Sequence, residues 1–349
     1  MAQWRRGVTS VSNWPTPQGQ LSRLTCMEKA EVNNYLAVDT ELLKRVHQSV
    51  QSVIRGKDEV IQLTLVGLFA RGHLLIEDVP GVGKTTLAHS LARSFNCTFQ
   101  RLQFTSDLLP SDVVGVSVFS QSTQRFEFRP GPIFANIVLA DEINRTTPKT
   151  QSALLEAMNE YQVTVDNHTH PLPQPFMVVA TQNPIEHHGT YPLPESQLDR
   201  FLMRLRVGYP SPQSEKEILR NFADSEPLAK IEPVMSAEEV VEVQRAVRRV
   251  RVDEELMNYT LAIVEKTRRH EYLSLGVSPR GSMSLYRAAQ ALALMEGRNY
   301  CVPDDFKRLV LPVFAHRCIV SSRYLSTMKK SDQSDTILRE IVDSVPVPL

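Results

Sequence analysis

The sequence predicts an α/β fold, in which a parallel β-sheet lies between helices and an all-helical domain follows. Two patterns predict it. Between residues 40 and 208, short apolar runs alternate with segments of helical periodicity, as in stacked βα units. From about residue 213 to 325 the strand-like runs stop and helical patterns continue. We therefore expect an α/β core over residues 36–208 and a helical domain over residues 209–325.

Five apolar runs predict the strands of the sheet. The runs at 137–140 and 176–180 are continuous, which is typical of strands buried on both faces. The other three lie at 73–76, 99–104 and 203–207. Apolar residues recur at helical spacing between the first two runs of the chain. A strand, a turn and a helix are therefore expected in succession from residue 73.

Helix caps mark the helical domain, whereas both ends of the chain are polar. Ser236 with Glu239 fits a capping box, and Ser278 before a proline predicts a helix start. We expect flexible polar tails over residues 1–35 and 326–349. Because the first tail carries no packing pattern, a chain that starts at Met27 is expected to fold as the whole chain does.

Composition excludes several classes of protein. Hydrophobic residues are 42% and charged residues 22% of the 349 residues, as in ordinary globular proteins. Lys+Arg and Asp+Glu both number 39, so net charge gives no argument for binding nucleic acid or an anionic membrane. No apolar run has the ~18 residues of a membrane span or the form of a secretion signal. The four cysteines have no CxxC spacing, which favours free thiols in a reducing cytosol. A cytoplasmic protein is therefore expected.

A phosphate-binding loop is predicted directly after the first strand. The sequence there is DVPGVGKT and the P-loop pattern is GxxxxGK[ST], so Asp78 replaces the first glycine. Gly81 and Gly83 allow backbone amides to surround a phosphate without a Cβ in the way. Lys84 can reach phosphate oxygens, and the Thr85 hydroxyl can ligate Mg²⁺. ATP and Mg²⁺ are therefore the expected ligands, and an ordinary strand-to-helix turn is the alternative.

Two acids end the apolar run IVLADE. Asp141, at a strand tip beside the loop, can hold Mg²⁺ directly or through water. Glu142 can then polarise the attacking water. Acid pairs at strand ends are common, so the pair alone is weak evidence for catalysis. The P-loop that precedes it in the same predicted sheet makes a catalytic role the expectation.

With these motifs the chain resembles the MoxR family of AAA+ ATPases, in the helix-2-insert branch. The resemblance covers roughly residues 40–325 and is carried by LLIEDVPGVGKTTLA, GPIFANIVLADEINRTTPKTQSALLEAM, VVATQNPIEHHGTYPLPESQLDRF and GVSPR. It implies a P-loop ATPase core with a helical lid domain.

The resemblance assigns further site residues. Asn183 matches the sensor 1 residue that orients the lytic water, and Arg200, in LDRF, matches the arginine finger that projects into the neighbouring subunit's site. Arg280, in SPR, matches the sensor 2 arginine of the lid, which serves either its own subunit or a neighbour. The segment at 54–57 matches the part that packs near adenine. The expected nucleotide-binding residues are Ile54, Gly56, Asp78, Val79, Pro80, Gly81, Val82, Gly83, Lys84, Thr85 and Thr86; the metal ligands are Thr85 and Asp141; and the catalytic residues are Glu142, Asn183, Arg200 and Arg280.

Two insertions resemble those of the helix-2-insert branch. Hairpins are expected near 112–131 and 161–173, and in the family such hairpins face the pore of a ring. The alternative is a pair of surface hairpins that bind no partner.

The resemblance implies a ring-forming ATPase, expected to be a hexamer, that remodels or matures partner proteins and often acts with a von Willebrand A-domain protein. The alternatives are the motor subunit of a metal-chelatase-type complex, a DNA translocase and a scaffold without activity. The neutral charge and the absence of a DNA-binding motif disfavour the translocase. The intact set of site residues disfavours the scaffold.

Two further pairs of residues lie near these motifs. His187 and His188 have no third ligand at suitable spacing, so a metal site is not expected there. Arg145 and Lys149, just after the acid pair, either contact a neighbouring subunit or only flank a helix.

Overall fold

A computed structural model describes residues 39–183, 189–224, 227–322 and 330–348. The expected N-terminal tail, with Met27, and the pair His187 and His188 lie outside the described residues. The elements up to the last strand of the main sheet are α1 (Thr40–Gln51), α2 (Asp58–Phe69), β1 (Leu74–Glu77), α3 (Lys84–Ser94), β2 (Phe99–Gln103), α4 (Pro110–Val114), β3 (Gly115–Ser120), β4 (Arg125–Pro130), β5 (Ile137–Asp141), α5 (Pro148–Glu160), β6 (Gln162–Val165), β7 (His168–Pro171), β8 (Met177–Gln182), α6 (Glu195–Leu198) and β9 (Met203–Leu205).

The main sheet has five strands in the order β2-β5-β8-β1-β9, and every neighbouring pair is parallel. This confirms the parallel α/β core expected from the sequence. In β1, Leu74 stands opposite Val179 of β8 and Met203 of β9. Because the strands run the same way, residues that follow β1, β5 and β8 meet at one edge of the sheet, the carboxyl edge. Residues that precede β9 lie at the opposite edge, the amino edge.

Helices cover both faces of the sheet. On one face, Val138 of β5 belongs to a buried apolar cluster that includes Leu154 of α5. On the other face, Gly67 of α2 lies so close to the sheet that a Cβ there would come within 2.8 Å of Leu74 and 3.3 Å of Met177. Burial on both faces explains why these strands are continuous apolar runs.

Two antiparallel hairpins project from the core. The first pairs β3 with β4, from Gly115 opposite Pro130 to Ser120 opposite Arg125. The second pairs β6 with β7. The rings of Phe128 and His170 stack with centroids 3.9 Å apart, so the two hairpins contact each other.

The second domain is helical, and its caps are those expected. Ser236 and Glu239 form a capping box, and the Ser278 hydroxyl accepts a hydrogen bond from Gly281 N at 3.1 Å. A short antiparallel ribbon departs from the expectation of helices throughout; its strands of three and two residues are too short to give a periodic pattern. The elements are α7 (Pro212–Asp224), α8 (Ala237–Val247), α9 (Glu254–Arg269), β10 (Leu273–Leu275), α10 (Pro279–Met295), α11 (Pro303–Phe314), β11 (Ile319–Val320) and α12 (Lys330–Asp343).

The C-terminal segment corrects the sequence analysis. A polar tail was expected over 326–349, but residues 330–343 form α12. Ile337 and Leu338 are fully buried, and Ile341 is 3% exposed, so a narrow apolar stripe packs although the segment is polar on average. Arg204 of β9 donates to Asp335 of α12 at 2.7 Å, and this ion pair ties the helix to the sheet.

We predict that Leu338→Ala lowers the free energy of unfolding by about 2–5 kcal/mol, because it leaves a cavity in a packed interface. Leu261→Ala is the matched control, since Leu261 lies on α9 and is 55% exposed. This control should change stability by less than about 0.5 kcal/mol. Denaturant unfolding followed by circular dichroism measures both. Equal stability of the two variants would contradict the packing of α12.

Candidate active site

The loop between β1 and α3 has the backbone of a phosphate cradle. Gly81 and Gly83 have φ angles of 84° and 91°, in the left-handed region that favours glycine. No heavy atom lies within 4 Å of the position that a Cβ would take at either residue, so both face open space. Gly83 caps α3, and the first N–H groups of a helix have no acceptor within it. These donors and the positive end of the helix together suit an anion.

Asp78, which replaces the usual glycine, braces this loop. Its carboxylate accepts hydrogen bonds from Val79 N at 2.8 Å and from Gly208 N at 2.5 Å. Its carbonyl oxygen accepts from Lys84 Nζ at 2.8 Å. The side chain therefore ties the loop to the segment after β9, and only the backbone of Asp78 is available to line the cradle.

Lys84 lies among carboxylates at the carboxyl edge. Burial lowers its pKa because it removes the ammonium group from water, while the negative charges of Asp141, Asp78 and Glu142 oppose this shift. An ammonium close to three acids and to open backbone donors is well placed to pair with phosphate oxygens.

Asp141 ends β5 and is engaged by the chain itself. Arg101 of β2 donates to Asp141 Oδ2 from Nη2 at 2.6 Å and from Nε at 3.1 Å. The Thr181 hydroxyl donates to Oδ1 at 2.6 Å. A metal ion at Asp141 therefore has to compete with a guanidinium group.

Glu142 is held in a similar way. Its Oε2 accepts from Gln103 Nε2 at 2.7 Å and pairs with Arg145 Nε at 3.1 Å. Its φ of 58° is uncommon for a residue with a side chain, and its N–H donates to Thr181 Oγ1 at 2.9 Å. Arg145 therefore contacts the acid pair of its own chain.

Sequence analysis did not identify Arg101 and Gln103. They stand two residues apart on β2 and so share one face, and Gln103 is paired with Asp141 across the sheet. The available signal was the alternation of polar residues at the end of a predicted strand, but only the strand order shows which acids they meet.

Asn183 and the threonines of α3 complete the carboxyl edge. Asn183 directly follows β8, which lies between β5 and β1 in the sheet. Thr85 and Thr86 are half-buried in the first turn of α3. The structure therefore brings the P-loop, the acid pair and Asn183 to one edge, as their positions after β1, β5 and β8 require.

A cavity of about 630 Å³ opens beside the loop, a volume that suits a small-molecule ligand. Ile54 and Gly83 are among its lining residues, so the segment at 54–57 meets the P-loop. Gly56 has a φ of 69°, and a Cβ there would overlap the Ser214 hydroxyl. The lining side chains include Val53, Ile54, Val82, Pro210, Ile218 and Leu228, which are apolar, and Arg55, Lys57 and Arg93, which are basic.

Arg200 and Arg280 lie elsewhere. Arg200 precedes β9 and therefore stands at the amino edge, where its Nη1 donates to Leu155 O at 2.8 Å. Arg280 is exposed in the first turn of α10, and the Ser278 hydroxyl contacts both carboxylate oxygens of Asp199 at 2.9 Å. The neighbours of the two arginines in the sequence, Asp199 and Ser278, are therefore in contact, and Arg200 stands at the edge opposite the P-loop.

The donor set at the carboxyl edge fits Mg²⁺, which prefers oxygen ligands and keeps several waters. The Thr85 hydroxyl and the Asp141 carboxylate are the side chains available for it there. Among the described residues, no group of three His, Cys, Asp or Glu side chains could hold a metal ion by itself. No helix in the described part of the chain is long and apolar enough to cross a membrane.

Comparison with known proteins agrees with this geometry. The model of the ATPase family associated with various cellular activities (AAA) matches residues 73–203. The AAA lid domain matches residues 265–341, and this match includes most of α12.

Individual relatives cover most of the chain. YeaC of Bacillus subtilis, an uncharacterised protein, is 51% identical over 88% of this chain and 95% of its own. The chaperone MoxR1 of Mycobacterium tuberculosis is 39% identical over 90% of this chain and 84% of its own. The crystal structure of a candidate ATPase from Cytophaga hutchinsonii superposes with a TM-score of 0.84 at 36% identity, covering 93% of this chain and all of that one. The chain therefore belongs to the MoxR family of AAA+ ATPases.

Proposed function

We propose that the protein hydrolyses ATP to ADP and phosphate with Mg²⁺ and uses this reaction to remodel partner proteins. The observation that carries the proposal is the meeting of four groups at the carboxyl edge of the sheet. These are the glycine cradle, Lys84, the pair Asp141 and Glu142, and Asn183.

In this proposal the loop and α3 hold the triphosphate. Backbone amides around Gly81 and Gly83 and the Lys84 ammonium bind phosphate oxygens, while the apolar wall at Ile54 receives the base. Thr85 and Asp141 hold Mg²⁺, which would neutralise charge on the phosphates. Asp141 would do so directly, by giving up its bond to Arg101, or through a water.

Glu142, which follows Asp141, is the general base in this proposal. Glu142 polarises the attacking water, and the Asn183 amide orients this water. Gln103 and Arg145 both hold Oε2, so in this proposal they keep the carboxylate turned towards β2, and Glu142 acts on the water after it turns away from them. The side chains of β2 therefore restrain hydrolysis until Glu142 is released.

The positions of the two arginines support a ring. β1 separates the amino edge from the P-loop, so Arg200 cannot reach the phosphates of its own chain. The contact of Ser278 with Asp199 keeps Arg280 on the same side. We therefore assign both arginines to a neighbouring subunit's ATP, in a head-to-tail assembly that closes as a hexamer.

Partner remodelling rests on the relatives and the hairpins. One relative is named a chaperone. The first hairpin exposes Phe119 by 51% and Phe126 by 74%, which suits contact with an unfolded or adaptor segment in the pore of a ring. A protein with a von Willebrand A domain is the proposed partner class.

The separate roles of Glu142 in hydrolysis and of Lys84 in ATP binding can be tested by substitution. Glu142→Gln keeps the shape of the side chain but removes the base, so kcat should fall by at least about 10²-fold while ATP affinity is unchanged. Lys84→Ala should weaken ATP binding itself by about tenfold or more, because it removes a charge-assisted contact. Phosphate release measured with Mg²⁺ and with EDTA, together with fluorescent-nucleotide titration, gives both quantities.

Equal loss of ATP affinity in the two variants would contradict these roles, and absence of Mg²⁺-dependent hydrolysis by the wild-type chain would refute the proposed activity. Glu142→Gln with ATP should also retain partner proteins on affinity capture, whereas Lys84→Ala should not. Capture that is equal with both variants would argue against ATP-dependent partner binding.

The restraint on Glu142 predicts a gain of activity. Gln103→Ala removes one of the two groups that hold the carboxylate, so basal kcat should rise about fivefold, the equivalent of one hydrogen bond of about 1 kcal/mol. Gln100→Ala, at an exposed position on the opposite face of β2, is the matched control and should leave kcat unchanged. A fall in kcat for Gln103→Ala alone would mean that Gln103 assists Glu142 instead of restraining it.

Action of Arg200 across an interface predicts complementation. Arg200→Ala should bind ATP but lose about 10³-fold or more in rate, as arginine fingers do in other NTPases. Mixing it with Lys84→Ala should restore part of the activity, because an intact Arg200 can serve an intact loop next door. Mixing it with the double variant Lys84→Ala/Arg200→Ala should restore none. Mixed oligomers without recovery in the first mixture would contradict action in trans.

A further inference from the structure

Arg317 joins the two domains from a buried position. It ends the 3-10 turn Ala315–Arg317 after α11, and its side chain is 1% exposed. Its Nε donates to Asp199 Oδ1 at 2.9 Å, and its Nη2 donates to Phe201 O at 2.5 Å and to the Ser284 hydroxyl at 3.2 Å. The carbonyls of Leu202 and Val313 accept from Nη1. Since every nitrogen of the guanidinium donates within the chain, Arg317 is not itself a nucleotide ligand.

Asp199 receives a second domain contact. The Ser278 hydroxyl, which caps α10, donates to the Asp199 carboxylate at 2.9 Å. Asp199 directly precedes Arg200, and Ser278 stands two residues before Arg280. One carboxylate is therefore linked to the neighbours of both arginines.

Arg317 keeps its charge in this buried position. Burial lowers the pKa of Arg317 to about 10 while Asp199 opposes the shift, so the guanidinium is protonated at neutral pH. A buried charge without its partner is strongly unfavourable, which keeps Asp199 and Arg317 together. The loop that carries Arg200 and the helix that carries Arg280 are consequently bound to one buried ion pair.

We propose that Asp199 and Arg317 are positioning residues that fix Arg200 and Arg280 relative to each other, so that both reach the same neighbouring phosphates at once. The proposal rests on the proposed ATPase function and on the action of the two arginines in trans. Neither Asp199 nor Arg317 touches the nucleotide in this scheme. Their effect should therefore appear in kcat and not in ATP affinity.

Ser278→Ala is the mildest test, because it removes only the hydroxyl that links α10 to Asp199. Its matched control is Ser236→Ala, which removes the cap hydroxyl of α8. This hydroxyl bonds to Glu239 of the same helix, in a capping box. We expect Ser278→Ala to lower kcat about tenfold with KM for ATP within about twofold of wild type. Ser236→Ala should change neither value.

A second variant separates positioning from simple destabilisation. Asp199→Asn keeps the shape of the side chain but removes its charge, and its kcat should fall further than that of Ser278→Ala. In an Arg200→Ala/Arg280→Ala background, neither variant should lower kcat further, because the groups that they position are gone. A purely structural role would lower activity equally in both backgrounds.

The outcomes separate this inference from the proposed function. If the wild-type chain hydrolyses ATP but Ser278→Ala and Asp199→Asn match Ser236→Ala, the positioning role is overturned and the ATPase stands. Additive losses in the arginine-free background would also overturn it. A wild-type chain without hydrolysis would overturn the proposed function and this inference together.

Discussion

The parallel pairing of β1 with β8 on one side and β9 on the other determines which groups of this protein can meet. Since Leu74 is level with Val179 and Met203, residues that directly follow β1 and β8 lie at the carboxyl edge, and residues that directly precede β9 lie at the amino edge. The P-loop and Asn183 are consequently neighbours, and Arg200 is remote from both. In our proposal, a site divided in this way is completed where two subunits meet.

The acid pair shows how the chain balances charge in this edge of the sheet. Two carboxylates beside one another are unfavourable unless cations or donors compensate them. Arg101 compensates Asp141, and Arg145 and Gln103 engage Glu142. Lys84, with its lowered pKa, adds a further cation nearby. In our proposal Mg²⁺ and ATP bind by exchanging with these internal partners, so the same contacts that stabilise the edge also set a threshold for hydrolysis.

Local motifs were predictable from the sequence, whereas contacts between distant segments were not. The P-loop, the strand before Asp141 and the Ser278 cap follow from a few adjacent residues. The pairing of Gln103 with Glu142 and of Arg317 with Asp199 depends on strand order and on domain packing, which no local pattern encodes. The helix α12 was missed for another reason: its apolar stripe is narrow, so the average polarity of the segment concealed it.

The junction at Asp199 also has an entropic consequence for the proposed ring. If the two arginines were on independently moving domains, each would lose conformational entropy when it bound a phosphate. With the loop before Arg200 and the cap before Arg280 bound to one buried ion pair, most of that freedom is already lost on folding. Once Arg200 contacts a neighbouring phosphate, Arg280 reaches the same phosphates with little further loss of conformational entropy, because the two groups are already oriented. In this proposal, the buried charge of Arg317 is the reason that the helical domain, and not only the sheet, takes part in the chemistry of the next subunit.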